Sequence, residues 1–416
     1  MMKSQETFPV TAGDLNIFHA RVIADQQITF VLDFSKSLDV DKLTVALAAL
    51  HEMLPILSST IHKQGSHFQR IRVSRHQTII SIVSEPAHPR EEIVRFIGSP
   101  CNPEREPPVK LLLLRDHGED TLCFKIDHTI SDAAGLRTLL FLFAEAYTTA
   151  RITQPVNYNR GFGQVFRRFS PVSLLKAVWR ANLPIPGRAL WHGPLEGDET
   201  FVEHVLLEPG RFERIREGAK RSNATINDVL LAGLYRAVFT YLPPEDTTAY
   251  PVMVPVDMRR YLPGEQRGVI ANLSSAIYPR LVKIPNEARG DTLRRIKGCM
   301  DKFKKDQPGL GAMFLMTVGA LRGGKMLRKR YRQAATRGSR FINYTNFGVL
   351  DETRLIFGQV PIKQAYGVGP IQYAPGVLIA LSTFRDTLHL VVQGKGNEQF
   401  RGFVREFLGA ILQNLE

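Results

Sequence analysis

The sequence predicts an α+β protein made of two similar lobes with a cleft between them. The chain has 416 residues, of which 44% are hydrophobic, and this is enough to bury two cores of ordinary domain size. The order strand, helix, strands, helix occurs twice along it, at a scale of roughly 200 residues. Between the two occurrences, residues 151–200 hold five prolines and both tryptophans. This composition is typical of a linker that crosses from one lobe to the other.

The first half is predicted to form a mixed sheet with a few helices. Residues 26–35 are predicted as a strand, and 39–57 as a helix because their apolar residues repeat at three- and four-residue spacing. Residues 109–116 and 120–127 are predicted to pair as a hairpin. A long helix is expected over 132–150. Further elements expected in this half are strands over 68–73 and 77–83 and a short helix over 90–98.

The second half is predicted to repeat this plan. A strand over 200–209 precedes helices over 210–221 and 223–242, and either Thr225 or Asn227 caps the longer helix. The elements expected after it are strands over 249–259 and 268–280, several strands within 354–394 and a closing helix over 398–415. We therefore predict an N-terminal lobe over 1–165, a linker over 166–198 and a C-terminal lobe over 199–416.

The beginning of the chain and its cysteines predict a cytoplasmic protein. The opening residues, MMKSQETFPVTAGDL, are charged but no apolar segment follows them, so we expect no signal peptide. The longest nearly apolar run, 308–321, has 14 residues and is too short to span a membrane. Cys101, Cys123 and Cys299 are odd in number and form no Cys-x-x-Cys pair. A reduced compartment, no disulfide and no metal site are the expectations.

The net charge of +14 is concentrated in two basic segments. Residues 151–195 contain seven basic and no acidic residues, and residues 321–340 contain eight basic and no acidic residues. The remaining chain, with 39 basic and 40 acidic residues, is almost neutral. Each segment is either a solvated surface or a region that attracts an anionic partner, such as a phosphate-bearing cosubstrate, an acidic carrier protein or a membrane surface. Nucleic acid is disfavoured because no recognisable nucleic-acid-binding signature is present.

Residues 311–335 combine an apolar stretch, rich in methionine and glycine, with a cationic tail. One interpretation is a helix hairpin with a solvated end. The other is an interfacial patch that recruits a lipid-like acyl donor or acceptor.

The stretch FKIDHTISDAAGLRTLL (124–140) carries the strongest candidate for chemistry. His128 ends a predicted core strand just before a helix, where a neutral imidazole can take a proton from an attacking hydroxyl or amine. The alternative is a histidine that only caps its strand. If Asp132 starts the helix, its carboxylate satisfies free amide groups, and its side chain is free to pair with an arginine and fix the turn. Small residues up to Gly135 let the backbone pass close to another layer.

Two further positions have alternative interpretations. Asp127 either raises the pKa of the neighbouring histidine or hydrogen-bonds backbone amides in the turn, and we favour the structural role because adjacent strand residues point to opposite faces. Ser274 and Ser275 either donate a hydrogen bond to a developing oxyanion or are strand-edge residues.

The segment DHTISDAAG resembles the His-x-x-x-Asp-Gly signature of the acyltransferase superfamily with the chloramphenicol-acetyltransferase-like fold. That superfamily includes nonribosomal-peptide condensation domains, wax-ester synthases, alcohol acyltransferases and the plant BAHD enzymes. Other segments resemble parts of these proteins in the same order along the chain. They are LDFSKSLDVDKLTVALAALHEMLPILSSTI, ATINDVLLAGLYRAV, VPVDMRR with GVIANLSSAIYP, and FINYTNFGVLD.

The resemblance implies two acetyltransferase-like lobes around an active-site tunnel, with acyl donor and acceptor entering from opposite faces. It implies that His128 is the general base and that Asp132 is a structural carboxylate paired with Arg259. It also implies that Asn346 and Gly348 belong to a loop that supports the tunnel.

The reaction implied is transfer of an acyl group from a thioester, either acyl-coenzyme A or a phosphopantetheinyl carrier protein, to a small-molecule hydroxyl or amine. No permanently bound cofactor is expected. In condensation domains and wax-ester synthases a second histidine usually occupies the position of Asp127, and a glycine that of Ala133. These departures favour a free-standing enzyme over peptide-bond formation on an assembly line. The alternative is a catalytically silent protein that binds an acyl carrier or another acidic partner.

Overall fold

A computed structural model describes residues 6–73, 80–181, 188–336 and 342–415. The first half of the chain contains an alternation of short helices and strands that ends in one long helix and the crossing segment. In chain order its elements are β1 (Thr7–Pro9), α1 (Ala12–Ala20), β2 (Ala24–Asp25), β3 (Gln27–Phe34), α2 (Val40–Met53), β4 (Ser59–Gln64), β5 (His67–Arg72), β6 (Ile80–Ser84), α3 (Pro89–Gly98), β7 (Val109–Asp116), β8 (Glu119–Asp127), α4 (Ala133–Thr149), α5 (Gly163–Phe166) and α6 (Pro171–Trp179).

The second half begins with a strand and two helices and ends with a strand-rich region and one helix. In chain order its elements are β9 (Glu199–Leu207), α7 (Pro209–Arg221), α8 (Ile226–Thr240), β10 (Tyr250–Asp257), β11 (Ser274–Ile277), β12 (Arg280–Leu281), α9 (Arg289–Lys305), α10 (Leu310–Thr336), β13 (Ile342–Leu350), β14 (Ile362–Val368), β15 (Ile371–Tyr373), β16 (Val377–Phe384), β17 (Thr387–Gly396) and α11 (Glu398–Gln413).

Local sequence signals account for the ends of several elements. Asp39 caps α2 by accepting hydrogen bonds from the backbone N–H groups of the first turn. Thr225, rather than Asn227, caps α8 and forms a capping box with Asp228. The hairpin of β7 and β8 turns at His117 and Gly118, which both have positive φ angles, as a two-residue hairpin turn requires.

The strands form two large sheets and one small sheet. The first large sheet has the order β14-β3-β8-β7-β6, and the second contains nine strands, with β10, β13, β16 and β17 at its centre. The small sheet has the order β1-β5-β4. Each large sheet has its own buried apolar cluster. Helices α2 and α4 contribute to the cluster of the first sheet, and α7, α8, α9 and α11 contribute to that of the second. The predicted α+β fold with two lobes is therefore confirmed.

The two halves exchange strands, which the sequence did not predict. β14 comes from the second half of the chain but pairs antiparallel with β3 in the first sheet. The two-residue strand β2 comes from the first half but pairs with β15 in the second sheet. These exchanges tie the lobes together.

The strand predicted over 268–280 differs from the structure. Only Ser274–Ile277 of the segment 268–280, which was predicted as one strand, pairs as a strand before a turn, and residues 268–273 are irregular. The segment 311–335 consists of two helical stretches, as the helix-hairpin interpretation expects. They are separated within α10 at Leu321–Gly324, where three consecutive residues have positive φ angles, and the side chain of Leu327 lies against Gly319 across the interruption. The described parts of the chain contain no helix long and apolar enough to cross a membrane.

Candidate active site

His128 lies at the junction of the two halves. It follows the last residue of β8, a strand that is paired on both sides by β3 and β7. Its backbone N–H donates to the Gln26 carbonyl oxygen at 3.0 Å. The turn from His128 leads into α4, and the Asp132 backbone N–H donates to the carbonyl oxygen of Ala271 in the second half. The irregular segment 268–273 is therefore packed directly against the turn that carries the histidine.

Asn272 fixes the imidazole of His128. Its side-chain oxygen lies 3.1 Å from Nδ1 of the ring. Its Nδ2 group donates to the carbonyl oxygen of His128 at 2.9 Å and to Oδ1 of Asp14 at 3.0 Å. Because two acceptors occupy the amide nitrogen, the oxygen must be the atom that faces the ring, and an oxygen can only accept. Nδ1 therefore carries the proton, and the lone pair is on Nε2.

A buried ion pair holds Asn272 in turn. Arg160, in the crossing segment, contacts both carboxylate oxygens of Asp14, each at 3.0 Å. Arg160 also donates to the carbonyl oxygen of Ile130 at 2.7 Å, within the turn itself. Asp14 is fully buried and Asn272 is 4% exposed. The amide thus has one orientation only, because turning it over would place its oxygen against a carboxylate.

Asp132 faces away from the imidazole and into a buried network. It caps α4, and its carboxylate accepts from the backbone N–H groups of Gly135 at 3.0 Å and Leu273 at 2.8 Å. Arg259 contacts both oxygens of this carboxylate, at 3.0 Å each. Burial alone would raise the pKa of Asp132, but the charge of Arg259 and the hydrogen bonds outweigh it and lower the pKa. The ion pair implied by the resemblance is present.

Gly135 lies where the helix passes closest to its surroundings. A methyl group at this position would overlap the hydroxyl of Ser131 and lie 3.1 Å from Nη2 of Arg259. Ala133, in contrast, is half-buried. The close approach for which this turn needs a glycine therefore falls two residues after the position implied by the resemblance.

Asp127 is occupied by contacts on the side of the strand away from the ring. Arg21 contacts its Oδ2 at 2.6 Å. The backbone N–H of Thr129 donates to Oδ1 at 2.9 Å, and the hydroxyl of Thr129 donates to the same atom. Arg70, fully buried, donates to that hydroxyl at 2.7 Å. These contacts support the structural role for Asp127.

The two serines do not have a free proton for an oxyanion. The hydroxyl of Ser274 donates to Oδ2 of Asp132 at 3.0 Å, and the hydroxyl of Ser275 donates to the Gly309 carbonyl oxygen at 2.6 Å. The oxyanion role considered for Ser274 is therefore wrong. A hydroxyl has one proton, and that of Ser274 is already donated to the buried carboxylate of Asp132.

Asn346 and Gly348 form a bulge in β13. The side-chain oxygen of Asn346, which is exposed, accepts from the backbone N–H of Gly348 at 2.7 Å. Gly348 has a φ of 77°, and a methyl group there would overlap the Arg137 guanidinium. Arg137, on α4, donates to the carbonyl oxygen of Phe347 at 2.6 Å. The bulge is thus attached to the helix that follows the active-site turn, and its contact with a tunnel stays a prediction.

A cleft of about 890 Å³ is lined by α3 and β9. Its lining includes Arg90 and Ser99 of the first half and Thr200 and Arg401 of the second. His128 does not line this cleft, so a tunnel that reaches the histidine also stays a prediction.

Asn272, Asp14 and Arg160 were not identified as site residues from the sequence. They come from three separate parts of the chain, and no local pattern links them. The one indication of Asn272 in the sequence is the segment GVIANLSSAIYP, which contains this residue and resembles a part of the family. The sequence predicts this segment as a strand, and this gives Asn272 no role in the site.

Comparisons with known proteins agree with this architecture. The family model described as Condensation domain matches residues 26–161. The first condensation domain of the calcium-dependent antibiotic synthetase, in complex with a substrate analogue, superposes with a TM-score of 0.73 at 16% identity, covering 99% of this chain and 97% of that one. Polyketide synthase associated protein 5 from Mycobacterium tuberculosis superposes with a TM-score of 0.67 at 15% identity, covering 98% and 96%.

An epimerization domain from the third module of tyrocidine synthetase B also matches, with a TM-score of 0.67 at 14% identity, covering 99% of this chain and 96% of that one. A search of curated proteins found no match. The chain therefore has the chloramphenicol-acetyltransferase-like fold of condensation domains, and the resemblance drawn from its motifs is confirmed. Because the same fold supports different reactions, the reaction has to be argued from the site.

Proposed function

We propose that this protein is an acyltransferase that moves an acyl group from a thioester to a hydroxyl or amine, with His128 as general base. The observation that carries the proposal is the contact between Asn272 and Nδ1 of the ring. It leaves the basic lone pair on Nε2, in a half-buried side chain at the junction of two lobes. A fixed tautomer at such a junction is what proton abstraction from an acceptor requires.

The proposed reaction has two steps, which are attack of the acceptor on the thioester and collapse of the tetrahedral intermediate. Nε2 of His128 takes the proton of the hydroxyl or amine as its oxygen or nitrogen attacks the thioester carbonyl carbon. The tetrahedral intermediate then collapses, the carbon–sulfur bond breaks, and the imidazolium returns the proton to the leaving thiolate. No covalent acyl-enzyme forms, and protons balance because the ring ends neutral. Proton transfer by a positioned base contributes a factor of about 10²–10⁴.

Asn272 assists this reaction because its oxygen accepts from Nδ1–H in both charge states of the ring. As the imidazolium forms, the same hydrogen bond becomes charge-assisted and strengthens. Asp132 and Arg259 keep the turn rigid, so the ring keeps its position through the reaction.

The donor we propose is a thioester on a phosphopantetheine arm, as in coenzyme A or a carrier protein, bound only during turnover. The fold shared with condensation domains supports a carrier-bound donor. The single histidine supports a free-standing enzyme that acts on a small-molecule acceptor. A cytoplasmic location and a peripheral membrane contact through the basic segments stay predictions.

The test is thiol release from acyl-coenzyme A thioesters, from acetyl to palmitoyl, and from the same acyl groups on a carrier protein, in pooled alcohols and amines. We expect release that depends on the acceptor and that falls by about 10²–10⁴-fold in His128→Ala. His117→Ala, which alters an exposed histidine in the β7–β8 turn, is the matched control and should keep full activity.

Wild-type activity that persists in His128→Ala would overturn the role of the histidine. Absence of turnover with every donor, together with tight binding of the carrier protein, would favour the catalytically silent alternative.

A further inference from the structure

The crossing segment presents an apolar stripe on the surface of the protein. Val172, Leu175 and Trp179 of α6 are 60%, 69% and 85% exposed. Their spacing of three and four residues places them on one face of the helix. The opposite face is packed on α10, where a methyl group at Gly311 would overlap the carbonyl oxygen of Ala177. The exposed stripe is therefore the outward face of a firmly attached helix.

Positive charge surrounds this stripe. Arg167 and Arg168 are exposed in the turn before α6, and Lys176 and Arg180 lie on its outward side. Arg180 forms an ion pair with Asp306, and both side chains stay about half exposed. The segment 151–195 contains no acidic residue of its own. An anionic surface that meets the stripe would thus encounter cations at its edges.

The neighbouring helix α10 also exposes apolar side chains next to basic ones. At the interruption of α10, Leu321 and Met326 are 63% and 66% exposed. Six exposed side chains that follow Leu321 in this helix are basic: Arg322, Lys325, Arg328, Lys329, Arg330 and Arg332. No acidic residue occurs between 307 and 336. Two packed helices therefore each combine projecting apolar side chains with exposed cations.

We infer that α6, with the interruption of α10, docks the protein on an anionic phospholipid bilayer. Side chains that project this far insert between lipid headgroups without needing a complementary cavity in a partner. Tryptophan is favoured at the boundary between headgroups and acyl chains, and flanking arginine and lysine side chains attract anionic lipids. An acidic carrier protein would satisfy the charges but would bring no apolar medium for Trp179. This inference does not depend on acyl transfer.

The chain provides its own reporter. Its other tryptophan, Trp191, packs against Phe400 and Phe403, so Trp191→Phe leaves Trp179 as the single tryptophan, which can be excited selectively at the long-wavelength edge of tryptophan absorption. Vesicles of phosphatidylcholine with phosphatidylglycerol should shift the emission of this variant to shorter wavelength, whereas phosphatidylcholine alone should not. Co-sedimentation of the unmodified protein with the same vesicles checks the result without any substitution.

Three variants separate the contribution of the apolar side chains to vesicle binding from that of the positive charges. The pair Leu175→Ser with Trp179→Ser should reduce vesicle partitioning at least about tenfold, because both apolar side chains are lost. The pair Arg167→Glu with Arg168→Glu should weaken binding, and added salt should weaken wild-type binding in the same way. Val45→Ser, which alters a 47% exposed valine on α2 in the first lobe, is the control and should change nothing.

No sedimentation of the wild type with anionic vesicles would overturn the inference, as would equal binding by the Leu175 and Trp179 pair. A shift of Trp179 emission on titration with an acyl carrier protein, but not with vesicles, would also overturn it and would identify a protein-docking surface. Because vesicle binding requires no turnover, the result is independent of the outcome for His128.

Discussion

At the scale of single residues, the proposed chemistry depends on what holds the imidazole of His128. Asn272 is 4% exposed and makes one contact to the ring and two contacts that fix its own amide. It does not touch the site where the acceptor would bind through Nε2. We therefore regard Asn272 as a positioning residue, whose loss should alter the reactive state of the enzyme more than its affinity for substrate.

Asn272→Ala should lower kcat by at least about tenfold, but by less than the roughly 10²–10⁴-fold expected for loss of the base itself. The reason is that the ring loses the acceptor that selects its tautomer, while Nε2 is still present. KM should change little. Steady-state kinetics, with the donor that the thiol-release assay identifies, would measure kcat and KM. A rise in KM with unchanged kcat would show that Asn272 serves substrate binding instead.

Gly135→Ala should destabilise the protein by about 1–3 kcal/mol, since the added methyl group overpacks a buried turn. The Ser131 hydroxyl is the nearest obstacle, so Ser131→Ala in the same chain should recover part of the loss. Gly163→Ala is the matched control, because no atom lies within 4 Å of the added group at that position. Urea unfolding at neutral pH measures all three, and equal effects of the two glycine substitutions would exclude crowding as the cause.

At the scale of elements, the active-site turn is assembled from the start of α4 and the irregular segment 268–273. Asp132 joins them, because its carboxylate accepts from Gly135 on its own helix and from Leu273 on the other segment. Arg259 completes the junction by donating to the carbonyl oxygens of Val269 and Ala271. The segment was predicted as strand, but its backbone groups serve this ion pair instead of a sheet.

Removing one member of this ion pair should cost about 3–5 kcal/mol of folding free energy, because the other charge stays buried without its partner. Asp132→Asn and Arg259→Gln should each show this loss and a fall in kcat. The double variant should be less destabilised than the sum of the two, and a double-mutant cycle of urea unfolding measures the difference. Full activity in either single variant would contradict the role of the ion pair in holding the turn.

At the scale of the whole molecule, the lobes meet through a stack of three rings as well as through exchanged strands. His204 on β9 stacks on Tyr366 on β14, with ring centroids 4.2 Å apart and an angle of 29° between the ring planes. Its Nε2 atom lies 2.9 Å from Nδ1 of His389 on β17. Burial lowers the pKa of both histidines to about 4, and for His204 the charges of His389 and Arg90 act in the same direction. The contact between the lobes therefore requires two neutral imidazoles.

Because of this stack, the free energy of unfolding should decrease as the pH is lowered. In the unfolded chain both histidines take up protons near pH 6.5, whereas in the folded protein they stay neutral until about pH 4. The contribution is complete above pH 6.5 and is lost as the pH falls toward 4, at up to about 1.4 kcal/mol per pH unit for each histidine.

Urea unfolding at pH 7, 6 and 5 measures this slope. The double variant His204→Gln with His389→Gln should flatten it over that range, since neither side chain then titrates. His117→Gln, at a side chain that is 89% exposed, should leave the slope unchanged. An unaltered slope in the double variant would show that other groups cause the loss of stability in acid.

The sequence by itself determined the fold class and most element boundaries, and it placed the candidate base His128 between a core strand and a helix. These features follow from short-range patterns: apolar spacing, capping residues such as Thr225, and the turn at His117 and Gly118. The pairing of Asp132 with Arg259 was available only through the resemblance to a family, because 127 residues separate the two.

Only the tertiary structure decided how the histidine is held and how the lobes are joined. Asp14, Arg160 and Asn272 meet because three distant segments pack together, and burial then forces their polar groups to satisfy one another. The strand exchange of β14 and the stack of His204 on Tyr366 arise in the same way. Contacts of this kind depend on where whole elements lie in space, and a local pattern along one chain does not contain that information.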